Sequence, residues 1–282
     1  MLAGQTQGSM FMRLAGKTAL VTGGGNGLGR GIVEHMCAEG ASVIFLEIQG
    51  EWVRETEADL RTKKMSVIGI RGDVTVADDV QAAADRCMAE WGRLDILVNN
   101  AGVSMPMPIG LANLPVSEWQ RLINVNLTGP FLCTQAVAPK MKKTGGGSII
   151  NITSISARSC YPGAGAYSIS KAALEALTVQ SAVELGPWNI RVNSMSLGWF
   201  RSALNEHVYQ RLGELARREA MIPLGRIGSA DDAARLAVFL ASDDSGYITG
   251  ESIESDGGLL AAGLKYSLEL ARLRPVTEPG RM

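Results

Sequence analysis

The 282-residue sequence predicts a single doubly wound α/β domain, in which a parallel sheet of about seven strands carries helices on both faces. Short β-branched runs alternate with longer amphipathic stretches through most of the chain, and no internal repeat or low-complexity linker divides the series. This alternation is typical of right-handed βαβ crossovers. A glycine-rich loop follows the first run, which disfavours an eight-stranded barrel, the structural alternative.

The predicted elements follow one another in regular order. Strands are predicted where short apolar runs are bounded by turn-forming residues, at 18–22, 42–47, 65–71, 94–99, 148–154, 190–196 and 251–256. Helices are predicted where apolar residues recur at helical spacing, at 28–39, 51–64, 77–91, 116–143, 168–184 and 229–241. A helical insertion spans 198–223, and insertions of this length usually have a function. A short helix is also predicted at 264–274.

The composition argues against several classes of protein. The formal net charge is -1, so there is no basic stripe of the kind that binds nucleic acid. No apolar run reaches the roughly 18 residues that a membrane-spanning helix needs, and the N-terminus lacks the features of a secretory signal. The four cysteines are widely spaced and there are only two histidines, so we predict neither a metal site nor a disulfide framework. Reduced thiols lead us to expect a cytoplasmic protein.

Glycines dominate the loop after the first predicted strand, where the chain reads Thr-Gly-Gly-Gly-Asn-Gly-Leu-Gly from Thr22. Glycines at such a position let the backbone turn sharply and approach a pyrophosphate, while the start of the next helix offers free N–H groups. The alternative is a turn that only packs the strand on the helix. We predict a Rossmann-type dinucleotide site with contacts from Gly23, Asn26, Gly27, Leu28 and Gly29.

A carboxylate, Glu47, ends the second predicted strand. A carboxylate there accepts hydrogen bonds from an adenosine ribose. A 2′-phosphate would instead meet a like charge, at a cost on the order of 1 to 4 kcal/mol at surface dielectrics. Arg30 is the only cation expected nearby, and it lies inside a helix. We therefore predict NAD(H) rather than NADP(H) as the cofactor, the alternative for Glu47 being a solvated carboxylate at a strand end.

Two more turns follow predicted strands at the same edge of the sheet, where open α/β sheets bind their ligands. Asp73 and Val74 follow the third strand, and we predict that they bond to and pack against an adenine. The Asn-Asn-Ala-Gly turn after the fourth strand is small enough for its backbone to approach a ribose. From that turn we predict contacts by Asn100, Ala101 and Gly102.

A phenol and an ammonium group, Tyr167 and Lys171, lie one helical turn apart on the same face of a predicted helix. The ordinary pKa of tyrosine is about 10, so it is a poor base near neutral pH. A neighbouring lysine cation, helped by the charge of an oxidised nicotinamide, would favour the phenolate. The pair predicts general acid–base chemistry, and the alternative is an ordinary exposed Tyr–Lys pair.

In order and spacing, these features resemble the short-chain dehydrogenase/reductase family. The resemblance rests on the glycine loop, the Asn-Asn-Ala-Gly turn, Asn126 in Val-Asn-Leu, Ser154 and the Tyr-x-x-x-Lys pair, and it covers residues 14–258. It implies that Tyr167 is the general acid/base, that Lys171 lowers its pKa and binds the nicotinamide ribose, and that Ser154 steadies the substrate oxygen. It also implies that the backbone at Asn126 holds a water that links Lys171 to a proton relay.

Two departures from the family pattern follow the sixth predicted strand. Where the family has Pro-Gly and then a threonine, this chain has Leu197-Gly198 and then Ser202. The resemblance implies that Gly198 and Ser202 contact the cofactor, because Ser202 keeps a hydroxyl for the carboxamide. Leu197 lacks the stiffness of proline, so we expect a more mobile loop after it.

The resemblance also implies a domain organisation and a substrate pocket. Residues 14–258 would form the catalytic domain, with a flexible lead at 1–13, a substrate lid at 197–223 and a tail at 259–282. The lid holds no strong cluster of arginine or lysine, and its aromatic character fits a medium-sized ketone or secondary alcohol. The predicted pocket residues are Ser104, Cys160, Tyr161, Trp199 and His207.

The expected function is that of an NAD(H)-dependent oxidoreductase interconverting a secondary alcohol and a ketone, assembled as a homotetramer through its two long helices. Three alternatives stay open: a lyase on the same scaffold, an epimerase or dehydratase, and a dinucleotide sensor without turnover. A dehalogenase-type lyase would carry arginine in place of Lys171, and an epimerase would usually be longer. A sensor would have no need of Ser154, Tyr167 and Lys171 together.

Overall fold

All seven predicted strands form, and they lie in one parallel sheet. The computed structural model describes residues 12–105, 107–201, 206–210 and 213–263. Within these residues the strands are β1 (Thr18–Thr22), β2 (Ser42–Glu47), β3 (Val67–Arg71), β4 (Ile96–Asn99), β5 (Gly147–Ser154), β6 (Ile190–Leu197) and β7 (Ser252–Ser255). Their order across the sheet is β3-β2-β1-β4-β5-β6-β7, so the direction of winding reverses between β1 and β4. The predicted doubly wound fold is confirmed.

Helices connect the strands and cover both faces of the sheet. The α-helices are α1 (Gly27–Ala38), α2 (Gly50–Thr62), α3 (Ala77–Trp91), α4 (Val116–Ile123), α5 (Gly129–Lys143), α6 (Ala166–Leu185), α7 (Glu206–Tyr209), α8 (Glu214–Met221) and α9 (Ala230–Ala241). Single turns of 3-10 helix occur at Leu111–Asn113, Ile155–Ala157, Gly186–Trp188 and Asp243–Ser245. The last two helices before α9 belong to the predicted insertion.

The helix predicted at 116–143 is interrupted once. A π-helical turn, Asn124–Thr128, joins α4 to α5, and the residues on either side of it keep right-handed helical angles. A π turn places one extra residue in the hydrogen-bond ladder of a helix. Spacing of apolar residues alone does not reveal such an insertion, so the prediction of one regular helix is wrong at this turn.

Apolar side chains fill both faces of the sheet, which is why its strands are almost continuously apolar. On β1, Val21 points into a core shared with α1 and α9, whereas Leu20 points into a second core shared with α3 and α5. On β2, Phe45 and Ile44 divide between the same two cores. With both faces covered, polar chemistry is left to the edges of the sheet.

The carboxyl ends of the strands share one edge of the sheet. Glu47 at the end of β2 is in register with Arg71 on β3, and Ser154 at the end of β5 is in register with Leu197 on β6. The loops that carry the predicted site residues leave the strands at this edge, where open α/β sheets bind ligands.

At the N-terminal side, contacts with the folded domain extend to Arg13. Arg13, assigned by prediction to a flexible lead, hydrogen-bonds to Glu39, and Leu14 is fully buried. Residues 1–11 and the helix predicted at 264–274 lie outside the described residues. Among the helices that are described, none has the length and apolar character needed to span a membrane.

Candidate active site

The loop between β1 and α1 needs its glycines. Gly23 has a φ of +64°, in the left-handed region that favours glycine. A Cβ on Gly29 would collide with the carbonyl oxygen of Gly23, so only glycine allows α1 to start so close to the strand. The Oδ1 of Asn26 accepts a hydrogen bond of 2.6 Å from the Gly27 N–H, and Leu28 packs against the core. The first N–H groups of α1 have no partners within the helix, which suits this helix start to an anion.

The turn after β4 is bonded to the glycine loop. The amide of Asn100 donates to the carbonyl oxygens of Thr22 and Gly23, at 2.9 and 3.0 Å. The hydroxyl of Thr22 accepts from the backbone N–H groups of Asn100 and Ala101, both at 3.1 Å. The Asn100 side chain is therefore used to hold the loop, and the backbone of this turn is the part that faces a ligand.

Glu47 is buried against the glycine loop, with 6% of its surface exposed. Its two carboxylate oxygens accept hydrogen bonds from the backbone N–H groups of Gly25, at 3.3 Å, and Gln49, at 3.0 Å. The interpretation as a solvated strand-end carboxylate is therefore wrong. A carboxylate has about four acceptor positions, so these two bonds leave it able to accept from a ribose.

The charges around Glu47 differ from those expected. Arg30 is bonded to Asp59 at 2.6 Å. Arg71 is the nearer cation in the sheet, because it is in register with Glu47 on the adjacent strand. Its Cδ lies 3.3 Å from where a Cβ on Gly50 would stand, at the start of α2. The expectation that Arg30 is the only nearby cation is wrong, since partners on adjacent strands are far apart in the chain.

The turn after β3 is partly committed to internal contacts. Asp73 accepts hydrogen bonds of 2.8 Å from the backbone N–H and the hydroxyl of Thr75, both through Oδ1. Val74 is 8% exposed and packs against α5, where a Cβ on Gly129 would lie 3.0 Å from it. Only the second oxygen of Asp73 and a small part of Val74 are left for an adenine.

Two hydroxyls meet at the centre of the sheet edge. Tyr167 lies in the first turn of α6, and its side chain is close enough to Ser154 at the end of β5 for the Ser154 hydroxyl to lower its pKa. The Ser154 oxygen also accepts from the hydroxyl of Ser156, at 3.0 Å, and from its backbone N–H, at 3.2 Å. Ser156 is buried and was missed by sequence reasoning, although its position two residues after Ser154 is the signal that could have found it.

Lys171 is buried one turn below Tyr167. Its Nζ donates a hydrogen bond of 2.8 Å to the carbonyl oxygen of Ile152 and lies 5.9 Å from the centre of the Tyr167 ring. Burial lowers the pKa of Lys171 from its ordinary value of 10.5 to about 8. Burial raises the pKa of Tyr167, and the hydrogen bond from Ser154 only partly opposes this. Within the protein alone, the expected lowering of the Tyr167 pKa by Lys171 is not found, because desolvation dominates.

Asn126 connects three parts of the site from within the π turn. Its side chain accepts from the N–H of Val103 at 2.8 Å, and donates to the Val103 carbonyl at 2.9 Å and to the hydroxyl of Ser170 at 3.0 Å. A Cβ on Gly102 would lie 3.4 Å from Asn126 and 3.5 Å from the Nζ of Lys171. The turn after β4, the π turn and the start of α6 therefore meet around the ammonium group.

The remaining predicted residues lie on the outer walls. Ser104, Cys160 and Tyr161 are exposed, and Trp199 is partly buried. The backbone of Gly198 packs directly on Asp256. Ser202 lies outside the described residues, as does the side chain of His207.

The lid carries a cation that the sequence analysis did not select. The guanidinium of Arg218 on α8 lies 4.8 Å from the ring centre of Trp199 and 5.7 Å from that of Tyr209. Residues 199, 209 and 218 are far apart in the chain, and no spacing rule connects them. The description of this wall as simply apolar and aromatic is therefore incomplete.

Known proteins resemble the chain over nearly its whole length. The family model described as enoyl-(acyl carrier protein) reductase matches residues 23–260. A 3-alpha-(or 20-beta)-hydroxysteroid dehydrogenase of Mycobacterium tuberculosis is 40% identical over 259 residues, which cover 92% of this chain and 94% of that protein.

Solved structures agree with this similarity. A short-chain type dehydrogenase/reductase from Mycobacterium ulcerans superposes with a TM-score of 0.84 at 31% identity, over 88% of this chain and 91% of its own. A gluconate 5-dehydrogenase from Burkholderia cenocepacia J2315, solved in complex with NADP and tartrate, has a TM-score of 0.83 at 31% identity, over 89% and 98%.

Proposed function

The chain belongs to the short-chain dehydrogenase/reductase family, and on this premise we propose that it is an NAD(H)-dependent oxidoreductase that interconverts a secondary alcohol and a ketone. The observation that carries the proposal is the buried Lys171, whose Nζ donates to the carbonyl oxygen of Ile152 and lies 5.9 Å from the centre of the Tyr167 ring, while Ser154 acts on the pKa of Tyr167. Tyr167 is the general acid/base in this reaction.

The residues of the sheet edge fit a nicotinamide dinucleotide. The glycine loop forms a cradle that a Cβ on Gly29 would fill. The structure describes the whole first turn of α1, and no acidic side chain lies in it. A pyrophosphate at this helix start would be held by backbone N–H groups and by the helix dipole. Glu47 would bind the adenosine ribose, and the backbone of the turn after β4 would bind the nicotinamide ribose. Bound there, the nicotinamide supplies the hydride donor or acceptor and, when oxidised, a positive charge.

The two hydroxyls stabilise the charge that develops on the substrate oxygen. The Ser154 oxygen accepts two hydrogen bonds from Ser156, which fix the position of the hydroxyl at the end of β5. During carbonyl reduction Ser154 donates a hydrogen bond to the substrate oxygen while Tyr167 transfers its proton to it. In the reverse direction Tyr167 accepts that proton from the alcohol.

Lys171 supports the proton transfer from below the ring. A buried amine with a pKa of about 8 changes protonation state near neutral pH. Asn126 holds the backbone beside this amine in place, and we propose that its main chain binds the water that continues the proton path. Lys171 and Asn126 act on the reaction through Tyr167.

For the cofactor, the buried carboxylate of Glu47 supports NAD(H), since a 2′-phosphate beside it meets a like charge. Arg71 weakens that repulsion without removing it, because it forms no salt bridge with Glu47 within the described residues. We also propose a homotetramer, supported by exposed apolar side chains on α6. All four cysteines are free, which fits the proposed cytoplasmic location.

The variant Tyr167→Phe tests the proposal. The change removes one oxygen, so we expect binding of NADH to stay within about twofold, while turnover falls by about 100-fold or more, as for loss of acid–base catalysis. Binding is measured by nicotinamide fluorescence and turnover by nicotinamide absorbance, with a panel of secondary alcohols and ketones. Tyr247→Phe, at a fully exposed tyrosine, is the matched control. Turnover of Tyr167→Phe equal to that of the wild type would remove Tyr167 from the mechanism.

A further inference from the structure

Arg218 lies in the lid, where part of its guanidinium has no partner among the described residues. The group lies over the rings of Trp199 and Tyr209, and its Nε donates to Glu214 at 2.7 Å. Across the described part of the chain, its two terminal nitrogens have no hydrogen-bond partner. Partly buried N–H groups of a cation are costly to leave unpaired, so this position favours an anionic ligand.

The local charges leave Arg218 only partly neutralised. Glu214 is shared with Arg217, whose Nη2 lies 3.0 Å from the same carboxylate oxygen that binds Arg218. Of the other two carboxylates of the described lid, Glu206 is hydrogen-bonded to Arg201, and Glu219 also acts on Arg201. At this end of α8, two guanidinium groups thus face one carboxylate.

Arg218 is connected to the sheet edge through Trp199, although it lies far from the reacting groups in the chain. Trp199 follows β6 directly, and Leu197 of that strand is in register with Ser154. Burial raises the pKa of Tyr161 on the opposite wall, and the positive charge of Arg218 opposes this rise, so the two groups are close enough to interact. Tyr161 in turn acts on the pKa of Tyr167.

We propose that Arg218 binds a carboxylate of the substrate, so that the enzyme acts on hydroxy acids and oxo acids whose carboxylate is separated from the reacting carbon. The inference rests on the proposed function and adds a substrate class to it. The flat guanidinium presents two parallel N–H donors that match a carboxylate in a bidentate geometry. Arg217 and Arg218 share one carboxylate, so one positive charge is left over. A single positive charge matches a carboxylate better than it matches a phosphate dianion.

The test compares acids with their neutral methyl esters. The substrates are 3-hydroxybutanoate and 4-hydroxypentanoate, each with its methyl ester, oxidised with NAD and followed at the nicotinamide absorbance. For the wild type we expect kcat/KM to be about 10-fold to 100-fold higher for an acid than for its ester, the range for hydrogen bonds to a charged group. Arg218→Met should abolish this preference by lowering kcat/KM for the acid alone, and Arg218→Lys should keep part of it.

The matched control is Arg217→Met on the same helix. The Arg217 side chain is 65% exposed, against 23% for Arg218, and both bond to Glu214. The control should keep the preference for acids, so a loss of preference in both variants would trace the effect to the fold of α8 and overturn the proposal. Thermal unfolding of the wild type, Arg218→Met and Arg218→Lys shows whether the variants remain folded. The preference is the ratio of kcat/KM for the acid to that for the ester, so a smaller amount of folded enzyme does not change it.

Three further results would overturn the inference. The first is an equal kcat/KM for acid and ester in the wild type, and the second is a preference for acids that survives Arg218→Met. The third is that the corresponding oxo acids do not bind to the wild type with NADH in calorimetric titration. Failure of the proposed function looks different, because turnover would then survive Tyr167→Phe. Oxidation of neutral alcohols that depends on Tyr167 but shows no preference for acids would leave the proposed function standing without this inference.

Discussion

Burial acts in opposite senses on the two titratable side chains at the centre of the site. It raises the pKa of Tyr167 and lowers that of Lys171, so that in both side chains the neutral form is favoured over the charged form. A neutral phenol is ready to donate a proton to a developing alkoxide. A base for alcohol oxidation needs added positive charge, which a bound oxidised nicotinamide brings to the cleft.

The Lys171 shift has a consequence for stability. Its pKa is lowered from 10.5 to about 8, so between these pH values the unfolded chain binds more protons than the folded one, and stability rises with pH. Lys171→Met removes this dependence. We expect the free energy of unfolding of the wild type, relative to the variant, to increase by up to about 3 kcal/mol from pH 8 to pH 10.5, at about 1.4 kcal/mol per pH unit.

Urea unfolding of both proteins at a series of pH values measures this difference. Other groups that titrate in the same range are common to both proteins and cancel in the comparison. A constant difference between wild type and Lys171→Met from pH 7 to 10.5 would contradict a lysine pKa lowered by burial.

At the scale of elements, the strands could be predicted to within two residues of their observed ends, because β-branched runs between turn residues have few other structures open to them. The positions of the loops after β1, β4 and β5 were predictable as well, because each loop begins where a predicted strand ends. The π turn around Asn126 was not, because it depends on backbone hydrogen bonds. Arg71 and Arg218 were missed because their neighbours come from other strands and helices.

The register of β2 with β3 leads to a prediction about the cofactor. Glu47 and Arg71 lie side by side with opposite charges, but only Glu47 is buried against the glycine loop. We expect NADH to bind at least about fivefold more tightly than NADPH, because the repulsion is worth about 1 kcal/mol or more at surface dielectrics. Glu47→Gln should narrow this gap, mainly by improving the binding of NADPH.

Fluorescence titration gives the dissociation constants of NADH and NADPH for the wild type and for Glu47→Gln. Glu51→Gln on α2 is a control that changes the net charge equally at an exposed position, and it should leave the ratio unchanged. Tighter binding of NADPH than NADH by the wild type would mean that Arg71 dominates the site.

At the scale of the whole molecule, both faces of the sheet are filled, and α6 carries three of the exposed apolar side chains. On α6, Ile169, Val179 and Val183 are 38%, 52% and 71% exposed. Val179 and Val183 are four residues apart and so lie on one face of the helix. An exposed apolar face on a long helix favours association with a second copy.

We therefore expect the wild type to be a tetramer in solution. Val183→Glu places a charge on this face and should reduce the mass to that of a dimer or monomer, because burying an unpaired charge at an interface is costly. Light scattering after size-exclusion chromatography measures the mass. Val76→Glu, at an exposed valine next to α3, should leave the tetramer intact. A monomeric wild type would contradict the proposed assembly.

The π turn between α4 and α5 makes the number of residues in this stretch matter as much as their identity. Removing one residue from Asn124–Thr128 would restore regular α-helical hydrogen bonds between α4 and α5, because a π turn holds one more residue than an α turn. The backbone of this turn would have to shift, and with it the fully buried Asn126. A single-codon deletion here would move the Asn126 amide away from Val103 and Ser170 without altering any side chain of the reacting groups.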